Sequence, residues 1–494
     1  MTADTAPTGL SRRNLLAGGA ALTAGLALAP QILAEPAPAS WTLGWTTAPA
    51  AGFDPAPMKL IAGKAPKGLA GTLYRNGPGQ LRYGETYLSH WFDGDGMIQR
   101  LAIEDGKAIH TGRFVQTPKR KAEQAAGKFL APGFGSLGDK SYPVANSDDV
   151  NAANTSVIMS GGELLALWEA GSAWGVDPAT LETRKPKVWR DDLKGMPFLA
   201  HPKREPDGRL WNLAVSGAHV GIYRISPAGE LEDFQMVNVG APAYIHDWTM
   251  TERKLIILVQ PWLMTRQIPP FVDSLAWKPG EGLKIMILDK DDLSKVRWAE
   301  APPRAFYHTG AAWEDSDGTV RLDAVFYREP ILGSGGGQSE MRGEYKSGEQ
   351  ATGYLSMLTI PASGGVKLEE TEIEGEFPQV DPRRHGLRRK LTLLAAGSAP
   401  NRPGNTSVAV RDWDSGKTHA YDFGADYLVE EFLIAPKPRG SKETDAWLIG
   451  VTLNTKARAS ELHVFDAASV EGGPVASWRA GYAWPLGFHG AWSA

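Results

Sequence analysis

Short apolar runs separated by turn residues constrain the fold of this chain more than any other feature. Runs such as "KLIILVQPW", "LKIMILDKDD" and "DAWLIGVTLN" are rich in Val, Ile, Leu and aromatic residues and are bounded by Gly, Pro, Asp or Lys. Such runs predict β-strands, and the 56 glycines and 35 prolines suit the tight turns between them. The best helical candidates are "PKRKAEQAAG" and the loop that follows "VQPW". The sequence therefore predicts an all-β protein.

A faint repeat indicates which all-β fold to expect. A strand, an Asp-containing turn and a second strand recur in "LKIMILDKDDLSKVRWAEA", "TSVAVRDWDSGKTHAYDFG" and "ELHVFDAASVEGGPVASWRAGY". This pattern is typical of the outer hairpin of a β-propeller blade, and a stacked β-sandwich is the alternative. Because no Pro- or Ser-rich linker divides the chain after residue 40, residues 40–494 are predicted to form a single domain.

The N-terminal residues 1–39 predict a twin-arginine-type signal peptide. Arg12 and Arg13 precede a short run of Leu, Ala and Gly, followed by small residues that suit a cleavage site. The run 15–29 is too short and too rich in glycine for a convincing membrane-spanning helix. We therefore expect the protein to be exported to the periplasm, either free or associated with the membrane. An ordinary secretory signal or an uncleaved anchor is the alternative.

Composition excludes several classes of function. The chain has no cysteine, so a disulfide framework, a thiolate metal site and a cysteine nucleophile are all ruled out. The net charge is −4, with no basic cluster after the N-terminus, which argues against nucleic acid as a partner.

Four of the ten histidines share one sequence context. His201 in "FLAHPK", His246 in "YIHDWTM", His308 in "FYHTGAAWED" and His489 in "GFHGAW" each end an apolar strand. No pair has the i, i+4 spacing of a helical zinc motif. Since the inner strands of a propeller converge on its axis, residues far apart in sequence can meet there. The four histidines therefore predict a common axial metal site.

The remaining histidines are interpreted as ordinary. His385 lies in a polar run and His419 in a blade turn, while His110 and His463 fall on strands whose neighbours look exposed. His219, in "SGAHVGIY", is the strongest competitor for a ligand role.

The segment "WPLGFHGAWSA", residues 484–494, is unusually aromatic for the end of a chain. It predicts a strand that is buried in the core, as happens when the last strand of a propeller pairs beside early ones. Such a strand would carry His489 to the axis.

An ordered set of motifs runs from about residue 70 to the C-terminus and comprises "GTLYRNGPG", "HWFDGDGM", "LLALWEAG", "AHPK", "IHDW", "FYHTGAAWE", "EGEFPQVD" and "LGFHGAW". This set resembles the carotenoid cleavage oxygenase family, in its bacterial, apocarotenoid-cleaving type. The resemblance implies a seven-bladed β-propeller with a cap of loops and short helices over the iron face. It also implies one Fe(II) per chain, held by His201, His246, His308 and His489.

The resemblance further implies residues around the iron ligands. Glu169, Glu376 and Glu431 match glutamates that bind the outer nitrogens of the ligand histidines. Glu431 matches least well, because Glu430 is adjacent and Phe432 replaces the family's usual proline. Thr155, in "AANTSVI", matches a threonine beside the oxygen site. The implied reaction uses O₂ to cleave a C=C bond into two carbonyl products.

The substrate is expected to be a carotenoid or an apocarotenoid. Family members that cleave stilbenes carry a lysine before the first glutamate, where it can bind a phenolic oxygen, and here that residue is Trp168. An indole suits stacking on an apolar chain and cannot stabilise a phenolate. Stilbene cleavage and non-cleaving polyene isomerisation on the same iron remain the alternatives.

Residues 260–280, "QPWLMTRQIPPFVDSLAWKPG", are unusually apolar for a loop. We expect Trp262 and Phe271 to lie at the mouth of a substrate tunnel that contacts a membrane surface. A loop packed over the core is the alternative.

Overall fold

A computed structural model of the protein describes residues 39–333, 335–345 and 352–494. The predicted signal peptide, apart from its last residue, lies outside the described residues. Residues 39–494 cluster as one compact unit.

Antiparallel strands account for most of the described residues. The first are β1 (Phe53–Gly63), β2 (Gly71–Gln80), β3 (Arg82–Tyr83), β4 (Thr86–Tyr87), β5 (Asp95–Glu104), β6 (Lys107–Phe114), β7 (Ser156–Ser160), β8 (Glu163–Leu167), β9 (Trp174–Val176), β10 (Thr183–Pro186), β11 (Lys203–Arg204), β12 (Leu210–Ser216), β13 (His219–Ile225) and β14 (Leu231–Asn238). The others are β15 (Thr249–Met250), β16 (Lys254–Val259), β17 (Trp262–Met264), β18 (Leu275–Trp277), β19 (Leu283–Asp289), β20 (Val296–Ala301), β21 (Ala305–Glu314), β22 (Val320–Tyr327), β23 (Tyr354–Ile360), β24 (Lys367–Gln379), β25 (Leu391–Ser398), β26 (Asn405–Asp412), β27 (Thr418–Asp422), β28 (Tyr427–Pro436), β29 (Ala446–Asn454), β30 (Ala459–Asp466), β31 (Ala476–Arg479) and β32 (Gly490–Ser493).

Helices are few and short in the described part of the chain. The α-helices are α1 (Pro118–Ala126) and α2 (Gln338–Arg342). The 3-10 helices are Ser40–Trp45, Trp91–Asp93, Ser147–Val150, Asp191–Leu193, Phe271–Ser274, Pro279–Glu281, Pro382–Arg384 and Val470–Gly472.

The first of the two predicted helices is present and the second is not. In α1 the hydroxyl of Thr117 accepts the Arg120 N–H, and Gly127 ends the helix at φ +63°, where glycine avoids a Cβ clash. From Trp262 onwards the chain instead forms the β17–β18 hairpin, whose loop contains the 3-10 helix Phe271–Ser274. Pro269 and Pro270 lie in the same loop, just before this 3-10 helix, and neither has the N–H that a helix interior needs.

The strands form a seven-bladed propeller, as predicted, within the described residues. Separate antiparallel sheets make the blades β7–β10, β11–β14 and β15–β16–β19–β20. A longer path of hydrogen-bonded strands contains the other four blades. The first is β21–β24, the second is the end of β24 with β25–β27, the third is β28–β31, and the fourth is β32–β2–β5–β6–β1. The three predicted blade hairpins are present as β19–β20, β26–β27 and β30–β31.

The last strand closes the ring. Residues 490–493 of β32 pair with residues 72–75 of β2, so the C-terminal strand becomes the inner strand of the blade that also contains β1. The end of β1 pairs with β31, which joins this blade to its neighbour. Apolar side chains from these two blades form a shared core, which includes Leu73, Leu101, Trp447, Trp478 and Trp484. Residues 484–489 of the aromatic C-terminal segment are buried, whereas β32, which completes the blade, is half-buried rather than in the core.

Short helices contribute to the wall of the cavity described below, among them α1, α2 and the 3-10 helices Trp91–Asp93, Ser147–Val150 and Phe271–Ser274. No helix among residues 39–333, 335–345 and 352–494 has both the length and the apolar character needed to cross a bilayer.

Candidate metal centre

Each of the seven blades brings a residue towards the propeller axis. These residues lie on the inner strand of their blade or within three residues before it. In chain order they are Thr155, His201, His246, His308, Glu376, Glu431 and His489. Because these residues lie on successive blades, they are widely spaced in the sequence.

The four histidines present their Nε2 atoms to one another. The Nε2 atoms of His201 and His246 are 3.1 Å apart, and those of His246 and His308 are 3.2 Å apart. The Nε2 atoms of His308 and His489 are 3.1 Å apart, and all four lie within 4.8 Å of one another. The structure therefore brings together the four histidines that share the strand-end context.

Three of the rings are oriented by glutamates. Glu169 accepts from Nδ1 of His246, and Glu376 Oε2 accepts from Nδ1 of His308 at 2.6 Å. Glu431 Oε1 accepts from Nδ1 of His489 at 2.9 Å. The histidine–glutamate pairs that the resemblance implies are thus present as hydrogen bonds. Among the described residues, no carboxylate binds His201.

The glutamates are themselves held by further donors. Tyr244 donates to Oε1 of Glu169 at 3.2 Å. Tyr327 donates to Oε1 of Glu376 at 2.6 Å, and the Phe377 N–H donates to Oε2 of Glu376 at 3.0 Å. Such bonds fix a carboxylate so that it can fix the imidazole in turn.

Irregular strand pairing aims these side chains at the axis. The pairing register shifts between Phe306 and Thr309 around His308, and between Glu376 and Gln379. It also shifts between Val429 and Phe432, which is where Glu430 and Glu431 lie. A bulge lets neighbouring residues point the same way, whereas a regular strand alternates them. This is why two adjacent glutamates both face inward.

The two inward glutamates share one arginine. Arg75 Nη1 donates to Glu431 Oε2 at 2.9 Å, and Arg75 Nη2 donates to Glu430 Oε2 at 3.1 Å. Arg75 Nη2 also donates to the carbonyl of Phe488, next to His489. Burial raises the pKa of Glu430 and of Glu431, and the guanidinium opposes that shift. Arg75 thus helps to keep Glu431 ionised beside its histidine.

The donor set fits a metal ion. An imidazole that donates its Nδ1 hydrogen to a carboxylate carries a lone pair on Nε2. Three such lone pairs, with His201 beside them, face one another at about 3 Å, a repulsive arrangement unless a cation lies between them. Metal–nitrogen bonds of about 2.1 Å at right angles would place neighbouring nitrogens about 3 Å apart, as observed.

The pKa values of the imidazoles agree with this. Burial, reinforced by the neighbouring histidines, holds the pKa of His201 and of His489 well below its usual value, which favours the neutral form that a metal ligand needs. Burial also disfavours protonation of His246, but the Glu169 carboxylate outweighs it and raises the pKa of that ring. A metal cation bound at Nε2 would supply the positive charge that the Glu169 carboxylate favours, so the His246 ring would not need a second proton.

A cavity of about 730 Å³ reaches this centre. His246, His308, His489 and Thr155 lie in its wall, and the Thr155 hydroxyl donates to Asn154 Oδ1 at 3.0 Å. Aromatic rings make much of the remaining wall, namely Trp91, Phe92, Phe134, Trp168, Tyr307, Phe377 and Phe488.

One of the residues predicted to lie at the substrate tunnel, Trp262, does not line the cavity. Trp168 and Phe271 line the cavity, and Phe271 is 38% exposed. Trp262 is 5% exposed and packs its ring against Tyr244, with centroids 5.0 Å apart, behind the cavity wall. The expectation that Trp262 lies at the mouth is wrong, because β17 pairs with β18 and turns this ring into the core.

Two other histidines are also not where the sequence placed them. His110 and His463 are buried rather than on exposed strands. His110 lies 2.8 Å from both Tyr482 Oη and Gln99 Oε1, and its ring stacks on Trp484. His463 Nδ1 lies 2.8 Å from Ser477 Oγ. The sequence neighbours did not reveal this, because the rings that cover His110 and His463 are Trp484 and Phe423, which lie in other segments of the chain.

Sequence reasoning missed Arg75, Tyr244 and Tyr327. Arg75 lies inside "GTLYRNGPG", a charged residue within an otherwise apolar and Gly-rich run, which is the signal that was available. Tyr244 stands two residues before a ligand histidine, and nothing local in the sequence marks Tyr327.

A seven-bladed propeller with four imidazoles converging at its axis defines a class of metal-dependent β-propeller. The chain belongs to the family described as retinal pigment epithelial membrane protein, which it matches over residues 48–494. Carotenoid cleavage oxygenases are members of this family, so the resemblance seen in the motifs is confirmed.

Individual relatives cover nearly the whole chain. The apocarotenoid-15,15'-oxygenase of Synechocystis sp. is 27% identical over 88% of this chain and 92% of its own length. The resveratrol cleavage oxygenase 1 of Aspergillus fumigatus is 26% identical over 82% of this chain and 86% of its own length. The crystal structure of the cobalt-substituted Synechocystis apocarotenoid oxygenase is similar with a TM-score of 0.83 and 25% identity, covering 92% of this chain and 98% of that one.

Proposed function

We propose that this protein is an Fe(II)-dependent dioxygenase that cleaves a C=C bond of a carotenoid or apocarotenoid into two carbonyl products. The observation that carries the proposal is the convergence of four imidazole Nε2 atoms beside an aromatic cavity. The relatives that cleave apocarotenoids and carotenoids support it.

The ligand set favours iron by its chemistry. His201, His246, His308 and His489 would hold one Fe(II) as neutral nitrogen donors, which suit this borderline ion. The bound iron would supply the activation of O₂. The three glutamates fix the rings of His246, His308 and His489 and make them stronger donors.

The cavity wall accounts for the rest of the proposed activity. Its aromatic side chains exclude water and stack on an extended apolar substrate, which fixes the reacting double bond relative to the histidines. Tyr244 and Tyr327 bind the glutamates, and Thr155 binds Asn154, so these hydroxyls are engaged within the protein.

The proposal is tested by measuring the masses of the products that the Fe(II)-loaded protein forms. Metal-free protein reconstituted with Fe(II) should convert apocarotenals into two shorter carbonyl compounds, and the metal-free sample should not. A product of unchanged mass would instead indicate an isomerase. Activity that does not depend on added iron would contradict the proposal.

Stilbene cleavage is the second candidate, because a relative of similar identity is a resveratrol cleavage oxygenase. Trp168 lines the cavity at the position where stilbene-cleaving members carry lysine, which favours the polyene. Resveratrol and an apocarotenal supplied side by side would decide between them. Faster turnover of resveratrol would reverse the assignment.

We also propose that part of segment 260–280 meets a membrane surface, now without Trp262. Ile268 is 39% exposed, Phe271 is 38% exposed, and both line the cavity. The Phe271 N–H donates to Gly133, and Leu137 in that adjoining loop is 61% exposed. An apolar rim around an apolar cavity suits collection of a lipid-dissolved substrate.

Replacing both Ile268 and Phe271 by Glu should lower binding to liposomes and activity on liposome-borne substrate, with less effect on detergent-dissolved substrate. Trp298→Glu is the matched control, since Trp298 is 45% exposed on β20, outside the cavity. Equal liposome binding by both variants would contradict the membrane contact.

The proposed location is the periplasm, reached through the twin-arginine signal of residues 1–39. The supporting feature is the Arg12–Arg13 pair before a weakly apolar run. Replacing both arginines by Lys should retain the protein in the cytoplasm. Wild-type protein found only in the cytoplasmic fraction would contradict export.

A further inference from the structure

The residues that follow three of the histidines form a buried cluster of their own. Asp247 directly follows His246, Thr309 directly follows His308, and Lys203 stands two residues after His201. Lys203 Nζ lies 2.7 Å from Asp247 Oδ1. The N–H and the hydroxyl of Thr309 lie 2.7 and 2.8 Å from Asp247 Oδ2. One carboxylate therefore joins three blades immediately beside three candidate ligands.

The strand irregularity at His308 explains why this carboxylate is needed. The register of β21 against β22 shifts on both sides of Thr309. A bulged strand leaves backbone groups without their usual partner, and a buried N–H needs an acceptor. Asp247 provides it. Asp247 also accepts from the Trp248 N–H at 2.7 Å, which fixes its own backbone.

The cluster has no direct access to a substrate. Lys203, Asp247 and Thr309 are all buried, and none of them lines the cavity. Any effect on chemistry must therefore act through the histidines next to them.

We propose that Asp247 is a positioning residue: its carboxylate holds the backbones that carry His201, His246 and His308 at the separation that one metal ion requires. The inference rests on the proposed metal-dependent function. It assigns to Asp247 a role different from that of the glutamates: each glutamate accepts from a histidine ring, whereas Asp247 binds Lys203 and Thr309, which stand beside ligand histidines in the sequence. It also supplies His201, which binds no carboxylate, with an anchor two residues away.

A second buried cluster offers a matched control. Asp323 accepts from Arg389, from the Thr392 hydroxyl and from the Ala311 N–H, the last at 3.0 Å. Asp323 and Thr392 are as buried as Asp247 and Thr309. Neither Arg389 nor Thr392 is adjacent in sequence to a ligand histidine. Loss of a hydroxyl here should cost stability without moving the histidines.

The experiment compares Thr309→Val with Thr392→Val by Co(II) titration of the full-length metal-free protein, followed by visible absorption. Loss of an outer partner of a metal site typically weakens binding by tenfold to a hundredfold. We expect the Thr309→Val dissociation constant for cobalt to rise by roughly tenfold or more. Thr392→Val should match wild type despite a comparable fall in urea midpoint, and Thr309→Ser, which keeps the hydroxyl, should restore binding.

The outcomes separate two failures. Wild-type protein that binds no cobalt contradicts the proposed metal-dependent function itself. Cobalt binding with equal dissociation constants in wild type, Thr309→Val and Thr392→Val overturns only the positioning role of Asp247. If Thr309→Val does not fold, Lys203→Met is measured against Arg389→Met, with the same two readings.

Discussion

Three imidazoles of the metal centre are held by glutamates, and the fourth is not. The rings of His246, His308 and His489 each donate to a carboxylate. His201 instead contacts other rings, with centroid distances of 4.6 Å to His246 and 4.5 Å to His489. Under the role that we propose for Asp247, a ligand is placed in one of two ways, by a hydrogen bond to the ring or by fixing the backbone that carries it.

The largest expected effect comes from removing a ligand, whichever way it is placed. His201→Ala and His246→Ala should each lower iron content and activity by at least about 100-fold, because each removes a donor rather than an outer partner. Elemental analysis of purified protein checks this. His219→Ala is the control, since His219 is exposed on a hairpin, and it should keep full iron. Full iron in His201→Ala would show that the ring without a glutamate is not a ligand.

A smaller effect should follow from neutralising one glutamate. Glu376→Gln should weaken Fe(II) or Co(II) binding by about 10- to 100-fold, because an amide accepts the His308 hydrogen less strongly than a carboxylate. Glu374→Gln is the matched control, as Glu374 lies two residues away on β24 and is also half-buried. Equal affinities in the two variants would mean that the glutamate does not tune its histidine.

The smallest effect at neutral pH concerns a histidine far from the axis. His110, like His201, binds no carboxylate of the part of the chain that the structure describes, and burial lowers its pKa from 6.5 to about 3. The unfolded chain therefore takes up a proton below pH 6.5 that the folded protein excludes. The free energy of unfolding does not depend on this titration above pH 6.5. Below pH 6.5 it falls by about 1.4 kcal/mol per pH unit as the pH drops towards 3.

His110→Gln should be less stable at neutral pH but should show a shallower loss of unfolding free energy between pH 6.5 and 4.5. Urea denaturation at several pH values measures both. An unchanged slope would show that the folded protein protonates His110 as readily as the unfolded chain does.

The all-β fold and the four histidines of the candidate site were predictable because their signals are local. Short strands with turn residues predicted the fold class, the resemblance supplied the seven blades, and a histidine at the end of an apolar strand marked each candidate ligand. Glu431 was the weakest of the three glutamate matches, since the choice between it and Glu430 depends on a bulge in β28 that only its pairing with β29 defines.

Contacts between blades could not be predicted. Lys203, Asp247 and Thr309 lie inside the quoted motifs "AHPK", "IHDW" and "FYHTGAAWE", yet their mutual bonds join segments about 40 to 60 residues apart. Trp262 was misplaced for a related reason. Apolar character alone does not distinguish a ring that faces a membrane from one that a short hairpin turns inward.

The central claim is that four neutral imidazoles hold one iron without a carboxylate ligand. X-ray absorption of the anaerobically Fe(II)-loaded protein tests it most directly. We expect one iron per chain with four imidazoles among its nearest neighbours, and loss of imidazole signal in His201→Ala. A spectrum with two or three imidazoles and a protein carboxylate bound to iron would contradict it.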